Sequence, residues 1–174
     1  MDCFYLLYLQ TPGFGGGVCQ ISSTLYNTAL LANLEIMERH NHQLTVPYIV
    51  PGRDATLAFP SKDLKFHNNR DHYILITAFI EHDDLTFRLF GAPIEERVEI
   101  KTVEIAAYTP PIKHEFVPEL APGEEEVIEG HPGYVVQVWK TVYREDKIES
   151  EEIISVDSYL PSPKIIRRGV SRNN

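Results

Sequence analysis

The sequence is poor in cysteine, with only Cys3 and Cys19 in 174 residues. Two thiols exclude a disulfide-dense scaffold and a zinc site built on cysteines. Long apolar runs are also missing: none approaches the roughly 18 residues of a membrane span, so the chain as it stands is not expected to cross a bilayer. Clusters of Lys and Arg are absent, and 16 basic against 25 acidic residues leave a formal net charge of −9. Binding a phosphate backbone depends on clustered basic side chains that release counterions, so nucleic acid is not an expected partner. Glycine (10) and proline (12) are near ordinary usage, which excludes collagen-like and low-complexity chains. No basic segment precedes the apolar stretch at residues 1–9, which reads as a strand rather than a secretory leader. What remains, 43% hydrophobic and 24% charged, is a chain able to bury a core.

The clearest element follows a glycine-rich connector. From Val18 the apolar positions Ile21, Leu25, Tyr26, Ala29, Leu30 and Ala32 recur at three- and four-residue spacing, which predicts a helix over about 18–32. Its buried stripe is expected to be Ile21, Leu25, Ala29 and Ala32, and Asn33 is expected to cap its end in the left-handed conformation. LEIMERHNHQLTVPYIV then reads as strands broken near Asn41, and residues 51–72 as turns with short β pieces. YILITAFI and LTFRLFG predict a hairpin in which Ile74, Ile76, Ala78 and Ile80 are answered by Leu85, Phe87 and Leu89. RVEIKTVEIAAY, GYVVQVWKTVYRED and KIESEEIISVDSYLP read as further strands. Pro110, Pro111, Pro118 and Pro122 crowd an acidic stretch that can hold neither a helix nor a central strand. The reading is an α+β chain: one main helix on an antiparallel sheet over 1–108, then a smaller elongated all-β domain over 109–174. The proline-rich junction near Tyr108 is expected to leave few contacts between the two parts.

The chemistry centres on Cys19. It follows Gly15, Gly16, Gly17 and Val18 in the first turn of the predicted helix. Partial positive charge there stabilises a thiolate, and glycines leave room for a substrate carbonyl. The alternative is a small buried hydrophobe. A nucleophilic cysteine needs a base, for which His40 and His42 are the candidates, and an orienting carboxylate, for which Asp54 or Asp63 would serve. Ser22 would line the site or simply bond to the helix backbone. Trp139, the one tryptophan, could stack on a sugar ring or pack in the core. A metal site drawn from His40 and His42 with His67 or His72 lacks ligand spacing, and no metal or cofactor is expected.

GGGVCQISSTLYNTALLANLEIMERHNH and PGRDATLAFPSKDLKFHNN together resemble the VanW-like family over about residues 13–92. This family is found mostly in Gram-positive cell-envelope proteins and is named for vancomycin-resistance gene clusters. The resemblance runs through Cys19 and Gln20, Arg39 to His42, Asp54-Ala55-Thr56 and Asp63-Leu64. Asn33 stands where the family usually has glycine, and Gln43 where serine is usual. Residues 109–169 resemble a five-glycine cell-wall domain, with Gly123, Gly130, Gly133 and Gly169 in place and Asp146 where another glycine is expected; such domains are mostly β and have been proposed to bind amino sugars. These resemblances imply an extracytoplasmic envelope protein with peptidoglycan or another wall component as partner. Any membrane anchor would lie in a segment outside this chain, as in family members that carry one before the block.

The order Cys, His, Asp-Ala-Thr is also similar to that of transglutaminase-like cysteine enzymes, whose last element often reads Asp-Pro-Thr. This implies Cys19 as nucleophile, His42 or His40 as base, Asp54 as orienting group and Gln20 beside the nucleophile. The glycines, Ser22 and Trp139 would then contact substrate. A second reading is a non-catalytic wall-binding module. Cys3 and Cys19 are expected not to be joined, because a bridge would consume the nucleophile.

Overall fold

A computed structural model describes residues 16–170. The strand expected at 1–9, Cys3, Gly15 and the fraying expected at the extreme C-terminus lie outside the described residues.

Helix α1 spans Val18–Leu31 with Gly17 at its N-cap. It ends as Asn33 anticipates: Asn33 takes φ 56°, its N–H donates to Leu30 O, and Leu34 N–H reaches back to Ala29 O, both at 3.0 Å. This pairing satisfies carbonyls the helix leaves open, and Leu34 is buried beneath the last turn. The buried face differs from the expected stripe. It is formed by Cys19, Ser22, Ser23, Tyr26, Ala29 and Leu30, while Ile21 is 46% exposed. The cause is the backbone of Ala55, which lies against the helix. Ser22 Oγ donates to Ala55 O at 2.5 Å, and Ser23 Oγ accepts Ala55 N–H at 2.9 Å, so two serines are buried with partners and the helix turns about its axis.

After the helix come β1 (Glu35–Glu38) and, much later, β2 (Lys65–His67), an antiparallel pair. Residues 39–50 contain no strand, in contrast to the β reading of that stretch. Their polar groups are engaged elsewhere: Asn41 Nδ2 donates to Ser158 O, and Gln43 O accepts Leu160 N–H. Strands β3 (Leu75–Glu81) and β4 (Asp84–Phe90) form the expected hairpin, with Ile76 opposite Leu89, Ala78 opposite Phe87 and Ile80 opposite Leu85. His82 and Asp83 make its turn at positive φ.

The long strands β5 (Glu96–Tyr108), β8 (Gly133–Arg144) and β9 (Lys147–Tyr159) form one antiparallel sheet in the order β5-β8-β9. Strands β6 (Ile112–Val117) and β7 (Glu125–Ile128) flank β10 (Lys164–Gly169), parallel to β6 and antiparallel to β7. The proline-rich stretch thus supplies edge strands only, as proline's missing N–H requires. One helix on small sheets followed by an all-β unit is the α+β arrangement expected.

The junction near Tyr108 is corrected. Strand β5, on its N-terminal side, pairs with β8 from Glu96 to Tyr108, so that junction follows a strand that belongs to the second unit. The two parts also share a core: Tyr26, Leu30 and Ala55 pack with Ile36 and Leu64, and with Ile100 of β5 and Ile154 of β9. Proline-rich composition marked the ends of two edge strands, where proline's missing N–H is tolerated as it is in a linker.

Candidate functional site

Cys19 sits in the first turn of α1, held there by its own helix. Its carbonyl accepts Ser23 Oγ at 2.6 Å, and the same hydroxyl receives Ala55 N–H. The helix N-terminus is thereby tied to the segment 54–57, and Thr56 Oγ1 lies 3.6 Å from Cys19 Sγ. Leu57 O is 4.0 Å from the sulfur. Cys19 is free of any disulfide and only 5% exposed.

The same segment carries Asp54, which is 1% exposed. Its Oδ2 accepts both the backbone N–H and the ring Nδ1 of His42, each at 2.6 Å. Two bonds from one residue fix the imidazole, and an Nδ1–H donor leaves Nε2 as the ring's acceptor. His42 is the largest influence on Cys19; joined by the Leu57 backbone and Thr56 and opposed by burial, it brings the thiol from 9.0 down to about 6. Burial opposes charge on His42, but Asp54 and the sulfur outweigh it and raise the imidazole from 6.5 to about 9. Burial likewise works against Asp54, yet His42, Tyr159 and Arg39 hold it below the ordinary carboxylate range. The arrangement favours a thiolate–imidazolium pair near neutral pH.

Of the two histidines, the structure brings only His42 to Cys19. His40 is half-exposed, with Nε2 3.2 Å from Glu38 Oε1. The two are separated because β1 ends at Glu38, so the same-face rule of a strand does not apply beyond it. Asp63 is exposed and bonds the N–H of Leu64. Ser22 is committed to Ala55, Gln20 is exposed beside the nucleophile, and Gly16 and Gly17 are exposed at the helix entry. A Cβ at Gly17 would meet nothing within 4 Å among the described residues. Trp139 is half-buried in mid-β8, paired with Lys101 and Ile153. Among the described residues no group of His, Cys, Asp and Glu is placed to hold a metal ion.

Sequence reasoning gave no role to Tyr159 and Arg39, which bond Asp54, or to Gly52 and Asp157, which bond those two. Tyr159 donates its hydroxyl to Asp54 Oδ1 at 2.5 Å and accepts Gly52 N–H at 2.6 Å. Arg39 donates from Nη2 to Asp54 Oδ1 at 3.1 Å, from Nε to Asp54 O at 2.6 Å, and from Nη1 to Asp157 Oδ2 at 2.6 Å. Gly52, at φ 88°, brings its backbone against Val138, where a Cβ would come within 2.4 Å of the valine methyl. Arg39 stands beside His40 in the quoted block, but only the fold shows what it binds.

Comparison with known proteins places these elements. The family described as VanW like protein matches residues 9–90, and the G5 domain matches residues 96–171. The uncharacterized protein YoaR of Bacillus subtilis (strain 168) is 48% identical over 68 residues, which cover 39% of this chain and 22% of that protein. The match thus spans about a fifth of that relative's length. Among solved structures, the G5 domain of IgA1 protease is 26% identical at a TM-score of 0.32, covering 45% of this chain and 93% of that one. HP0197-G5 is 21% identical at a TM-score of 0.24, covering 44% of this chain and all of that one (100%). The helix, Cys19, His42 and Asp54 all lie in the first matched region, whereas Asp157 and Tyr159 lie in the second: the chain is a VanW-like region followed by a G5 domain.

Proposed function

We propose that this protein is a cysteine-dependent acyl transferase or amide hydrolase of the cell envelope, acting on peptidoglycan peptides. The pairing of VanW-like and G5 domains is typical of cell-envelope proteins, and G5 domains occur in extracellular bacterial surface proteins. Among the described residues no helix is long and apolar enough to cross a membrane. The observation that carries the reading is the buried Asp54–His42 pair, bonded at ring and backbone, whose imidazole acts on the Cys19 thiol.

In this reading the Cys19 thiolate attacks an amide carbonyl carbon, forming a C–S bond and placing charge on the carbonyl oxygen. Collapse breaks the C–N bond, and the His42 imidazolium gives its proton to the departing amine. Water or a second amine, deprotonated by His42, then attacks the thioester and releases the cysteine, yielding hydrolysis or transfer. Asp54 keeps its charge throughout and holds the ring. The transglutaminase-like order of residues agrees with this assignment of roles.

Two measurements test it. Iodoacetamide alkylation of Cys19 is expected to rise with a midpoint near the lowered value of about 6, against about 8.5 for a free thiol. Incubation with defined peptidoglycan fragments is expected to give cleaved or cross-linked peptide with the wild type and none with Cys19→Ala. A midpoint at the free-thiol value, with no product from any fragment, would sink the enzyme reading.

One observation favours the alternative of a non-catalytic wall-binding module. Cys19 is only 5% exposed, the burial of a structural thiol. In that case Cys19→Ser would retain full binding to isolated cell wall, and Trp139→Ala would be the variant that weakens binding to amino sugars.

A further inference from the structure

We propose that strand β9 of the G5 domain is part of the catalytic unit, with Asp157 and Tyr159 serving as positioning residues that keep Asp54 aimed at His42, Tyr159 directly and Asp157 through Arg39. This rests on the cysteine-triad reading and extends it from one domain to both. Residues 157 and 159 alternate onto the same side of β9, and both are buried, at 5% and 2% exposure. They meet the VanW-like region through a sealed set of bonds. Ser158 O accepts Asn41 Nδ2 at 2.9 Å and Leu160 N–H donates to Gln43 O at 2.8 Å, so residues 41–43, which include His42, are laid along 158–160.

One buried cation is shared by two acids. Arg39 lies between Asp54 and Asp157, over the ring of Tyr26 at 5.1 Å, and its side chain is almost fully buried. The guanidinium favours the charged, accepting form of Asp54, whereas a second carboxylate this near opposes it. The contribution of Asp157 is therefore positional: it takes Nη1 and so sets the plane from which Nε and Nη2 reach Asp54. Arg53, the other cation near Tyr26, is turned to Asn27 and to Ile100 O. Tyr159 is bonded on both sides, giving its proton to Asp54 and taking that of Gly52, which fixes the carboxylate plane. A mere adhesive between domains would not need to converge on the one oxygen pair that holds His42.

The test uses the full chain and the near-isosteric variants Asp157→Asn and Tyr159→Phe, with His42→Ala as the control. Each is followed by the pH profile of Cys19 alkylation and by thermal unfolding. Asp157→Asn is expected to move the alkylation midpoint upward by about one pH unit, because Arg39 loses its charged anchor and no longer holds Asp54 on His42. Tyr159→Phe is expected to lower the alkylation rate at pH 7 several-fold. If both variants unfold at lower temperature but keep the wild-type profile, while His42→Ala shifts it, β9 is only structural and this inference fails by itself. If His42→Ala also leaves the profile unchanged, the triad reading fails and takes this one with it. Should one variant fail to fold, the other decides.

Discussion

Tyr159 hydrogen-bonds Asp54 Oδ1 at 2.5 Å, while the other oxygen of the same carboxylate holds His42 by both its backbone and ring nitrogens. A residue 105 positions away in sequence thus completes the environment of the carboxylate. In low dielectric such a network is favourable only when every member is satisfied.

Removing Asp54 therefore leaves several buried groups without partners. Asp54→Ala is expected to destabilise the protein by about 3–5 kcal/mol, since Arg39 and His42 lose a shared buried counter-charge. Urea unfolding monitored by Trp139 fluorescence measures this; a loss within about 0.5 kcal/mol, the range of ordinary surface substitutions, would contradict the described network.

The thiol and imidazole shifts have opposite effects on stability. The lowered Cys19 value, about 6, stabilises the fold above its unfolded value of 9.0, and that contribution is lost as pH falls through 6. The raised His42 value, about 9, stabilises fully below 6.5 and is lost as pH rises through 9. Between 6.5 and 9 each state holds one proton across the two groups, so their contributions offset and this pair should leave unfolding stability flat. Stability is expected to fall in acid, where Asp54 takes up its proton below the ordinary carboxylate range, and again in alkali, where buried Tyr26 and Tyr159 resist the ionisation that the unfolded chain undergoes from 10.0. Unfolding free energies across the pH range in wild type and in the double variant Cys19→Ala/His42→Ala should run parallel between 6.5 and 9.

Two glycines should respond oppositely to alanine. A Cβ on Gly169 would stand 2.0 Å from Ala121 O, so Gly169→Ala must push backbone apart and is expected to cost about 1–3 kcal/mol. Gly17→Ala meets open space and has helical dihedrals, and is expected to change stability by less than about 0.5 kcal/mol. Thermal unfolding of the two variants side by side reads the contrast.

Cleaving the loop between β6 and β7 should not separate the chain. A glutamate-directed protease acting at Glu119 or Glu124, both exposed, cuts between residues that remain joined by the β5–β8 and β6–β10 pairings. The nicked protein is expected to elute as one species in native buffer and as two fragments in denaturant. Release of a free N-terminal fragment in native buffer would contradict the shared core.

Local pattern was enough to read the elements. The spacing from Val18 to Ala32 marks α1, Asn33 marks its end, and alternation marks β3, β4, β5, β8 and β9 to within a few residues. Asp146 illustrates the limit of a glycine count: it takes φ 58° in the β8–β9 turn, the conformation for which glycine is expected there, because a short polar side chain tolerates it. Cys19 and Asp54 were legible from setting and order. His42 could not be separated from His40, since where β1 stops depends on Arg39 and Asn41 finding tertiary partners. Asp157 and Tyr159 left no local signal at all; they sit in an ordinary alternating strand, and tertiary bonds from Arg39, Asn41, Gln43 and Gly52 bring that strand to the site.

The second sheet has its last strand in the middle. Strands β6 and β7 each pair with β10 and not with each other, so neither has a ladder until Lys164–Gly169 takes its place between them. The sheet therefore has no half-built form. Chain growth delivers its keystone after everything it joins, and truncation just beyond Pro163 would dissolve three strands by deleting one.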